Sequence, residues 1–304
     1  MDKFHTELIA ASDGTQLAVR QVGPLDADVT VIFSHGFCLT MDAWLPQCHH
    51  LSGELGDTAR LVFYDQRGHG QSHTPADPGT YTLAQLGDDL NSVITAVARS
   101  RRVVLVGHSM GGMAIMTFAA QHPESLAAIA GVGLISTAAG QLARCGIGRA
   151  LNTPAVPLLH YAARHAPWIT SHTWAAVRRA VAPALGIPVA ASPVIRANQV
   201  CCQMVSETPI LTVAALLAEF RHHNQMSAIA KFAHLPALVA CGEADPVTPL
   251  QHSLDLAAQL PNAELVRVPR AGHMLELERP HLISEAILRL ITRARGSLPQ
   301  LATA

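Results

Sequence analysis

The stretch GHSMG at residues 107–111 restricts the fold of this chain more than any other part of its sequence. An apolar run at 102–106 precedes it, and apolar and small residues follow at 112–120, a pattern typical of a strand, a tight turn and a helix. Such a turn needs glycine on both sides of the serine, because a side chain there would collide with neighbouring backbone. It would hold the Ser109 hydroxyl at the start of a helix, where free N–H groups can bind a developing oxyanion. We therefore predict that Ser109 is a nucleophile; the alternative is a glycine-rich turn that only joins a strand to a helix.

Short apolar segments alternate with amphipathic ones on both sides of this turn. A hairpin is predicted at 6–11 and 16–22, and further strands at 29–33, 60–65, 102–106, 126–136, 236–241 and 263–268. Helices are predicted at 44–51, 82–97, 112–120, 250–260 and 280–292. This alternation favours an α/β fold with a mostly parallel central sheet flanked by helices.

The alternation stops between residues 137 and 227. Prolines are frequent there, no strong strand pattern occurs, and helical segments are predicted at 171–181 and 208–223. Because apolar residues remain plentiful, we predict an inserted helical cap rather than a linker. The core domain would then comprise residues 1–136 and 228–304.

The composition excludes several classes of protein. Of 304 residues, 49% are apolar and 14% are charged, which is typical of a globular chain. The net charge of −1 gives no basic surface for binding nucleic acid. The first residues lead into no apolar signal segment, and no apolar run is long enough to span a bilayer, so we expect a soluble protein of the cytoplasm without membrane insertion. Nothing in the sequence predicts an oligomeric state.

The cysteines and histidines do not indicate a metal site. The six cysteines form no C-x-x-C motif and are expected to be small buried side chains. The 17 histidines include no H-E-x-x-H motif. We therefore expect neither a metal nor an organic cofactor.

Two residues far along the chain could activate Ser109. A serine hydroxyl is a weak nucleophile and needs a histidine base, which in turn needs an acid to orient it. Asp245 follows the strand predicted at 236–241, and His273 follows the strand at 263–268. Loops at the carboxyl ends of parallel strands are where such a fold places its functional groups. We predict Asp245 as the acid and His273 as the base, with Glu243 as the nearest competitor of Asp245.

Several segments, in this order, are similar to those of a known family. They are His35-Gly36, DQRGHGQS at 65–72, GHSMGG at 107–112, GEADPVTP at 242–249 and Gly272-His273. Together they resemble the α/β-hydrolase fold superfamily, in particular its capped serine hydrolases of the lipase and esterase kind. The resemblance implies a Ser-His-Asp triad and an oxyanion hole built from the main-chain N–H groups of Phe37 and Met110. It implies a structural role for His35 in the loop that carries Phe37.

The same resemblance narrows the chemistry. A serine nucleophile disfavours the haloalkane dehalogenases and epoxide hydrolases of this fold, which use a carboxylate. The stretch at 107–111 also lacks the Gly-Gly-Ser-Trp-Gly form typical of proline iminopeptidases. The prediction is hydrolysis of a carboxylic ester. A thioesterase, a carbon–carbon bond hydrolase, a cofactor-free haloperoxidase-like enzyme and a non-catalytic ligand-binding protein remain as alternatives.

The predicted cap is rich in apolar side chains and poor in acids. Pockets that bind small molecules are lined mainly by apolar side chains. We predict an apolar small ester or a lipid as the substrate. The residues expected to bind it are Trp168, Trp174, Leu211 and Phe220.

Overall fold

Eight strands form one sheet in the computed structural model, which describes residues 4–98, 102–166, 170 and 203–296. The strands are β1 (His5–Ala10), β2 (Gln16–Val22), β3 (Val29–Ser34), β4 (Ala59–Tyr64), β5 (Val103–His108), β6 (Ile129–Ile135), β7 (Ala237–Gly242) and β8 (Ala263–Val268). Their order across the sheet is β1-β2-β4-β3-β5-β6-β7-β8. The predicted mostly parallel α/β sheet is confirmed.

The direction of the strands determines where their loops meet. β1 and β2 form an antiparallel hairpin, and β2 pairs antiparallel with β4. Every pair from β4 across to β8 is parallel. The loops that follow β3 to β8 therefore lie at one edge of the sheet, the edge at which parallel α/β sheets bind ligands.

Helices cover both faces of the sheet. The α-helices of the described residues are α1 (Leu45–Leu55), α2 (Leu83–Val97), α3 (Met110–Gln121), α4 (Ala155–His165), α5 (Ile210–Phe220), α6 (Met226–Ile229), α7 (Leu250–Gln259), α8 (Leu275–Glu278) and α9 (Pro280–Gly296). Buried side chains of α2, α3 and α7 form a core on one face, and those of α1 and α9 form a second core on the other. No helix in the described part of the chain is long and apolar enough to cross a membrane.

Some boundaries differ from those predicted. The strand expected at 126–136 begins only at Ile129, because Pro123–Ala128 form a 3-10 helix. Proline suits the first turn of a helix, where its missing N–H has no partner to lose. The last helix extends to Gly296, and Ala294 in its final turn is buried against the sheet. In both cases local turn chemistry or packing outweighs the apolar pattern.

The regular elements described between β6 and β7 are helices. α4 and α5 pack on each other and on Cys38 in the loop after β3. The helix predicted at 208–223 is α5, whereas the one predicted at 171–181 lies outside the described residues. A bridge between Gly140 and Asn224 brings the two ends of the segment together. That residues 137–227 act as a cap stays a prediction.

Candidate active site

Ser109 occupies the turn between β5 and α3. Its φ of 50° lies in the left-handed region, which a residue other than glycine rarely adopts. A Cβ at Gly111 would overlap the main chain of Ser34, and one at Gly107 would overlap the main chain of Gly111. The glycines therefore permit the close approach of β3, β5 and α3, which leaves Ser109 strained at the edge of the sheet.

Hydrogen bonds to neighbouring strands hold this strained turn. The N–H of Ser109 donates to the carbonyl of Ile135 at 2.9 Å. The Thr137 hydroxyl donates to the carbonyl of Ser109 at 2.7 Å and is buried. Sequence reasoning missed Thr137, because no motif links a threonine after β6 to a turn after β5.

Ser109, His273 and Asp245 form a continuous chain of hydrogen bonds. His273 Nε2 lies 3.0 Å from Ser109 Oγ, and His273 Nδ1 lies 2.7 Å from Asp245 Oδ2. Both distances are those of well-formed hydrogen bonds. The structure thus brings together the three side chains that the sequence places 164 and 28 residues apart.

The Asp245 carboxylate is buried but well solvated by protein donors. Oδ1 accepts the N–H groups of Val247 and Thr248 at 2.7 and 3.0 Å, and Oδ2 accepts the Thr248 hydroxyl at 2.7 Å. Burial by itself would raise the pKa of Asp245, but His273 and the Thr248 donors outweigh it and hold the pKa below its ordinary value. The carboxyl is therefore ionised at neutral pH.

Thr248 is a second residue that sequence reasoning missed. Asp-Pro-Val-Thr is a spacing at which an aspartate accepts main-chain N–H groups two and three residues ahead. That local signal predicts the turn at Asp245. The hydroxyl contact also needs the threonine side chain to face the carboxylate.

The ionised carboxylate in turn acts on His273. Burial would lower the pKa of the His273 imidazole, but the negative charge of Asp245 outweighs burial and raises the pKa above its ordinary value. A more basic imidazole is a stronger acceptor for a hydroxyl proton. His273 is therefore arranged to remove a proton from Ser109.

Glu243, the competing acid, lies elsewhere. Its carboxylate forms an ion pair with Arg267 at the surface. The contacts of His273 Nδ1 are Asp245 and, at 3.4 Å, the Thr248 hydroxyl. Asp245 rather than Glu243 is hydrogen-bonded to the histidine.

The main-chain N–H groups of Phe37 and Met110 lie at the same edge of the sheet as Ser109. Met110 directly follows Ser109, and Phe37 follows β3, which neighbours β5 with Ser34 paired to Gly107. Among the described residues, neither N–H donates a hydrogen bond. Both are therefore available to an anionic oxygen.

Two buried histidines hold the loop that carries Phe37. His35 Nε2 accepts the N–H of Gln66 at 3.0 Å, and His69 Nε2 accepts the N–H of Cys38 at 3.2 Å. Burial lowers the pKa of both rings, that of His69 to about 4, so both stay neutral acceptors. His35 thus has structural contacts of the kind that the family resemblance implies.

Two of the four residues predicted to bind substrate lie against this loop. The Phe220 ring is 5.0 Å from the Phe37 ring and nearly perpendicular to it. Leu211 packs on the apolar cluster that contains Cys38. Trp168 and Trp174 lie outside the described residues. No group of three His, Cys, Asp or Glu side chains in the described part of the chain is arranged to hold a metal ion.

Comparison with known proteins agrees with this fold. The family model described as "alpha/beta hydrolase fold" matches residues 29–280. The chain belongs to the alpha/beta hydrolase fold family, so the resemblance noted in its motifs is confirmed.

Several similar proteins have names that indicate an activity. A protein of Caulobacter sp. (strain K31), provisionally named carbamate hydrolase RutD, is 30% identical over 280 residues, which are 89% of this chain and 93% of that protein. A hydrolase from Pseudomonas aeruginosa has a TM-score of 0.73 at 26% identity and covers 94% of this chain and 98% of its own. The enol-lactonase from Burkholderia xenovorans LB400 has a TM-score of 0.74 at 24% identity, with 94% and 100% covered, and supports the fold alone. The relatives named as hydrolases support a hydrolase.

Proposed function

We propose that this protein is a serine hydrolase that cleaves a carboxylic ester of an apolar small molecule or lipid through an acyl-enzyme. The observation that carries the proposal is the hydrogen-bonded chain from Ser109 through His273 to the buried, ionised Asp245. Such a chain serves to activate a hydroxyl for acyl transfer.

Each group has a defined role in the proposed reaction. His273 Nε2 takes the proton of Ser109 as Oγ attacks the ester carbonyl carbon. The N–H groups of Phe37 and Met110 stabilise the oxyanion of the tetrahedral intermediate. The imidazolium of His273 then protonates the leaving alcohol, and Asp245 stabilises that cation and keeps its tautomer. Water, deprotonated by His273, releases the acid and restores Ser109.

The surroundings of the oxyanion loop favour an apolar substrate. Phe37, Phe220 and Leu211 present aromatic and aliphatic groups next to the proposed oxyanion donors. We assign Leu211 and Phe220, together with Trp168 and Trp174 of the proposed cap at 137–227, to substrate binding. The side chains that supply binding energy in such pockets are mostly apolar.

The test is labelling by a fluorophosphonate probe together with hydrolysis of p-nitrophenyl esters. The native protein is expected to take up one probe per chain, and Ser109→Ala none, with a loss of kcat on the order of 10⁶-fold. Ser92→Ala, which removes a half-buried hydroxyl from α2, serves as the control and is expected to behave as the native protein. A Ser109→Ala variant that retains most of its ester hydrolysis would overturn the assignment.

Carbamate cleavage is a second candidate, supported by the name of the relative that shares 30% identity over most of this chain. The same three side chains could attack a carbamate carbonyl, with His273 protonating a leaving amine instead of an alcohol. A comparison of kcat/KM for an ester and a carbamate with matched substituents distinguishes the two. A higher value for the carbamate would favour this second candidate.

A further inference from the structure

A second carboxyl, that of Glu276, is buried directly behind His273. Glu276 lies in the short helix α8, three residues after His273, and no part of its side chain is exposed. Its Oε1 is 3.3 Å from Nδ1 of His108, the buried residue that precedes Ser109. Among the described residues, neither carboxyl oxygen of Glu276 nor Nδ1 of His108 has a hydrogen-bond partner. The two unsatisfied groups therefore lie close together, at a distance slightly longer than that of a usual hydrogen bond.

The hydrogen-bond partner of Nε2 shows which ring nitrogen of His108 carries the proton. Nε2 of His108 lies 3.0 Å from the main-chain carbonyl of His273, and a carbonyl only accepts, so Nε2 carries the hydrogen. Burial, and then the charge of His273, lower the pKa of His108 to about 3, so the ring is neutral. Nδ1 therefore has a lone pair and can only accept. An ionised Glu276 would place two acceptors against each other.

The surroundings of Glu276 favour its neutral form. Burial raises the pKa of Glu276 to about 8. The main-chain N–H of Glu276 and the charge of His273 favour the carboxylate and lower this pKa, whereas the charges of Glu278 and Asp245 raise it; burial outweighs the two groups that lower it. On the elements that pack against α8, Asp42 is paired with Arg20, and Glu285 is paired with His50. Arg279, which follows α8, donates to the main-chain carbonyl of Glu278, and Gln47 of α1 donates its uncharged amide to the main-chain carbonyl of Glu276.

We propose that Glu276 is a positioning residue: its carboxyl proton bonds to Nδ1 of His108, and His108 in turn holds the main-chain carbonyl of His273. The inference rests on the proposed function, because its kinetic consequence is the alignment of His273 with Ser109. Loss of the proton from Glu276 leaves two buried acceptors in contact, and the support of His273 is lost. The geometry thus couples the protonation of a carboxyl that contacts no substrate to the position of the base.

Three variants distinguish the effect of the Glu276 proton from the effect of the volume of its side chain. Glu276→Gln keeps an N–H donor for His108 and does not titrate. Glu276→Leu fills a similar volume without a donor. Glu54→Gln, at an exposed position of α1, is the matched control for the loss of a carboxylate.

The first measurement is thermal stability against pH, which needs no enzymatic activity. The folded chain keeps the Glu276 proton up to a pKa of about 8, whereas the unfolded chain releases it near 4.5. Between these values the folded state binds more protons, so its stability falls as pH rises. The Tm of Glu276→Gln relative to the native protein is expected to rise steadily from about pH 5 to about pH 8. If the Tm difference from the native protein changes as little with pH for Glu276→Gln as for Glu54→Gln, Glu276 is not protonated in the folded protein.

The second measurement is kcat for a p-nitrophenyl ester against pH. The native kcat is expected to fall as Glu276 ionises, and Glu276→Gln is expected to lack this alkaline fall. Glu276→Leu is expected to lose about tenfold in kcat at all pH values with KM little changed, the rate equivalent of one lost hydrogen bond. A Glu276→Leu variant with native kcat would overturn the positioning role.

The third measurement detects the coupling between Glu276 and His273 and requires no enzymatic activity. In ring NMR titrations, His273 of the native protein is expected to show a second inflection near the pKa of Glu276, and Glu276→Gln is expected to lack it. A single inflection in both proteins would overturn the coupling. If no ester is hydrolysed, the proposed function fails, while the stability and NMR measurements still decide the role of Glu276.

Discussion

At the scale of single residues, the Asp245 carboxylate determines the pKa of His273, the proposed base. Its two oxygens accept four hydrogen bonds, from His273, from Val247 and, twice, from Thr248. An amide in this place could not accept all four, since one of its two ends would be a donor. The charge and the acceptor pattern of Asp245 therefore act together on His273.

Asp245→Asn tests this role. The variant is expected to fold but to lose kcat by about 10⁴-fold, because an amide N–H directed at Nδ1 favours the wrong tautomer of His273. The measurement is kcat/KM on one ester. Glu243→Gln, which removes a surface ion pair with Arg267, is the control and is expected to change little. A larger loss for Glu243→Gln than for Asp245→Asn would move the acid to Glu243.

The pH dependence follows from the raised pKa of His273. Only the free base accepts the Ser109 proton, so activity is lost as pH falls through the pKa of His273. Because the Asp245 charge raises that pKa above the ordinary 6.5, the acid limb of kcat/KM is expected to have its midpoint above pH 6.5. The residual activity of Asp245→Asn should have a lower midpoint. A native midpoint below 6.5 would show that burial outweighs the carboxylate.

At the scale of elements, Arg67 joins the loop after β4 to two other parts of the fold. The guanidinium is fully buried, donates two bonds of 2.7 Å to the Asp89 carboxylate on α2, and donates a third, of 2.9 Å, to Asp13 in the hairpin turn. Burial by itself would raise the pKa of Asp13, but Arg67 outweighs it and lowers the pKa to about 2. The loop next to the site therefore depends on a buried ionic contact.

Asp89→Ala is expected to reduce the free energy of unfolding by about 3–5 kcal/mol, because it leaves the buried Arg67 without its bidentate partner. Urea denaturation followed by circular dichroism measures the change. The neighbouring Asp88→Ala removes a partly exposed contact with His122 and is expected to cost less than about 1 kcal/mol. Equal effects of the two substitutions would contradict a structural role for the Arg67 contact.

At the scale of the whole molecule, the proposed substrate pocket lies where the segment between β6 and β7 meets the sheet. α5 comes from that segment, and its Phe220 meets Phe37 of the loop after β3. The apolar surface next to the proposed oxyanion donors therefore includes side chains from both α5 and the loop after β3. In the proposed function, substrate selection thus depends on the packing of these two elements rather than on one motif.

The length of the acyl chain tests this arrangement. Each buried methylene contributes up to about 0.8 kcal/mol, roughly fourfold in kcat/KM. The value for p-nitrophenyl esters is therefore expected to rise from acetate through at least butyrate. Phe220→Ala should reduce the gain per methylene, and Leu25→Ala, at an exposed position, should not. A steady fall from acetate onward, or a preference for a charged acyl group, would contradict an apolar pocket.

Much of this fold could be predicted from local patterns. Continuous apolar runs predicted β3, β4, β5 and β7, because strands covered on both faces need apolar side chains at every position. The start of β6 was predicted too early, since an apolar run does not distinguish a strand from the 3-10 helix at Pro123–Ala128. Local patterns thus predicted the presence of the strands better than the residues at which they begin and end.

By itself, the sequence determined the turn at Ser109 and predicted which side chains activate it. A side chain at Gly107 would overlap Gly111, only four residues further on, so this constraint is visible in the sequence, whereas a side chain at Gly111 would overlap Ser34 of another strand. Only the tertiary structure decided that Asp245 rather than Glu243 meets His273, and that Thr137, Thr248 and Glu276 surround the site. Those contacts depend on distances of about 3 Å between groups that several different strands and loops bring together, and hydrogen bonds and pKa values are sensitive to just such distances.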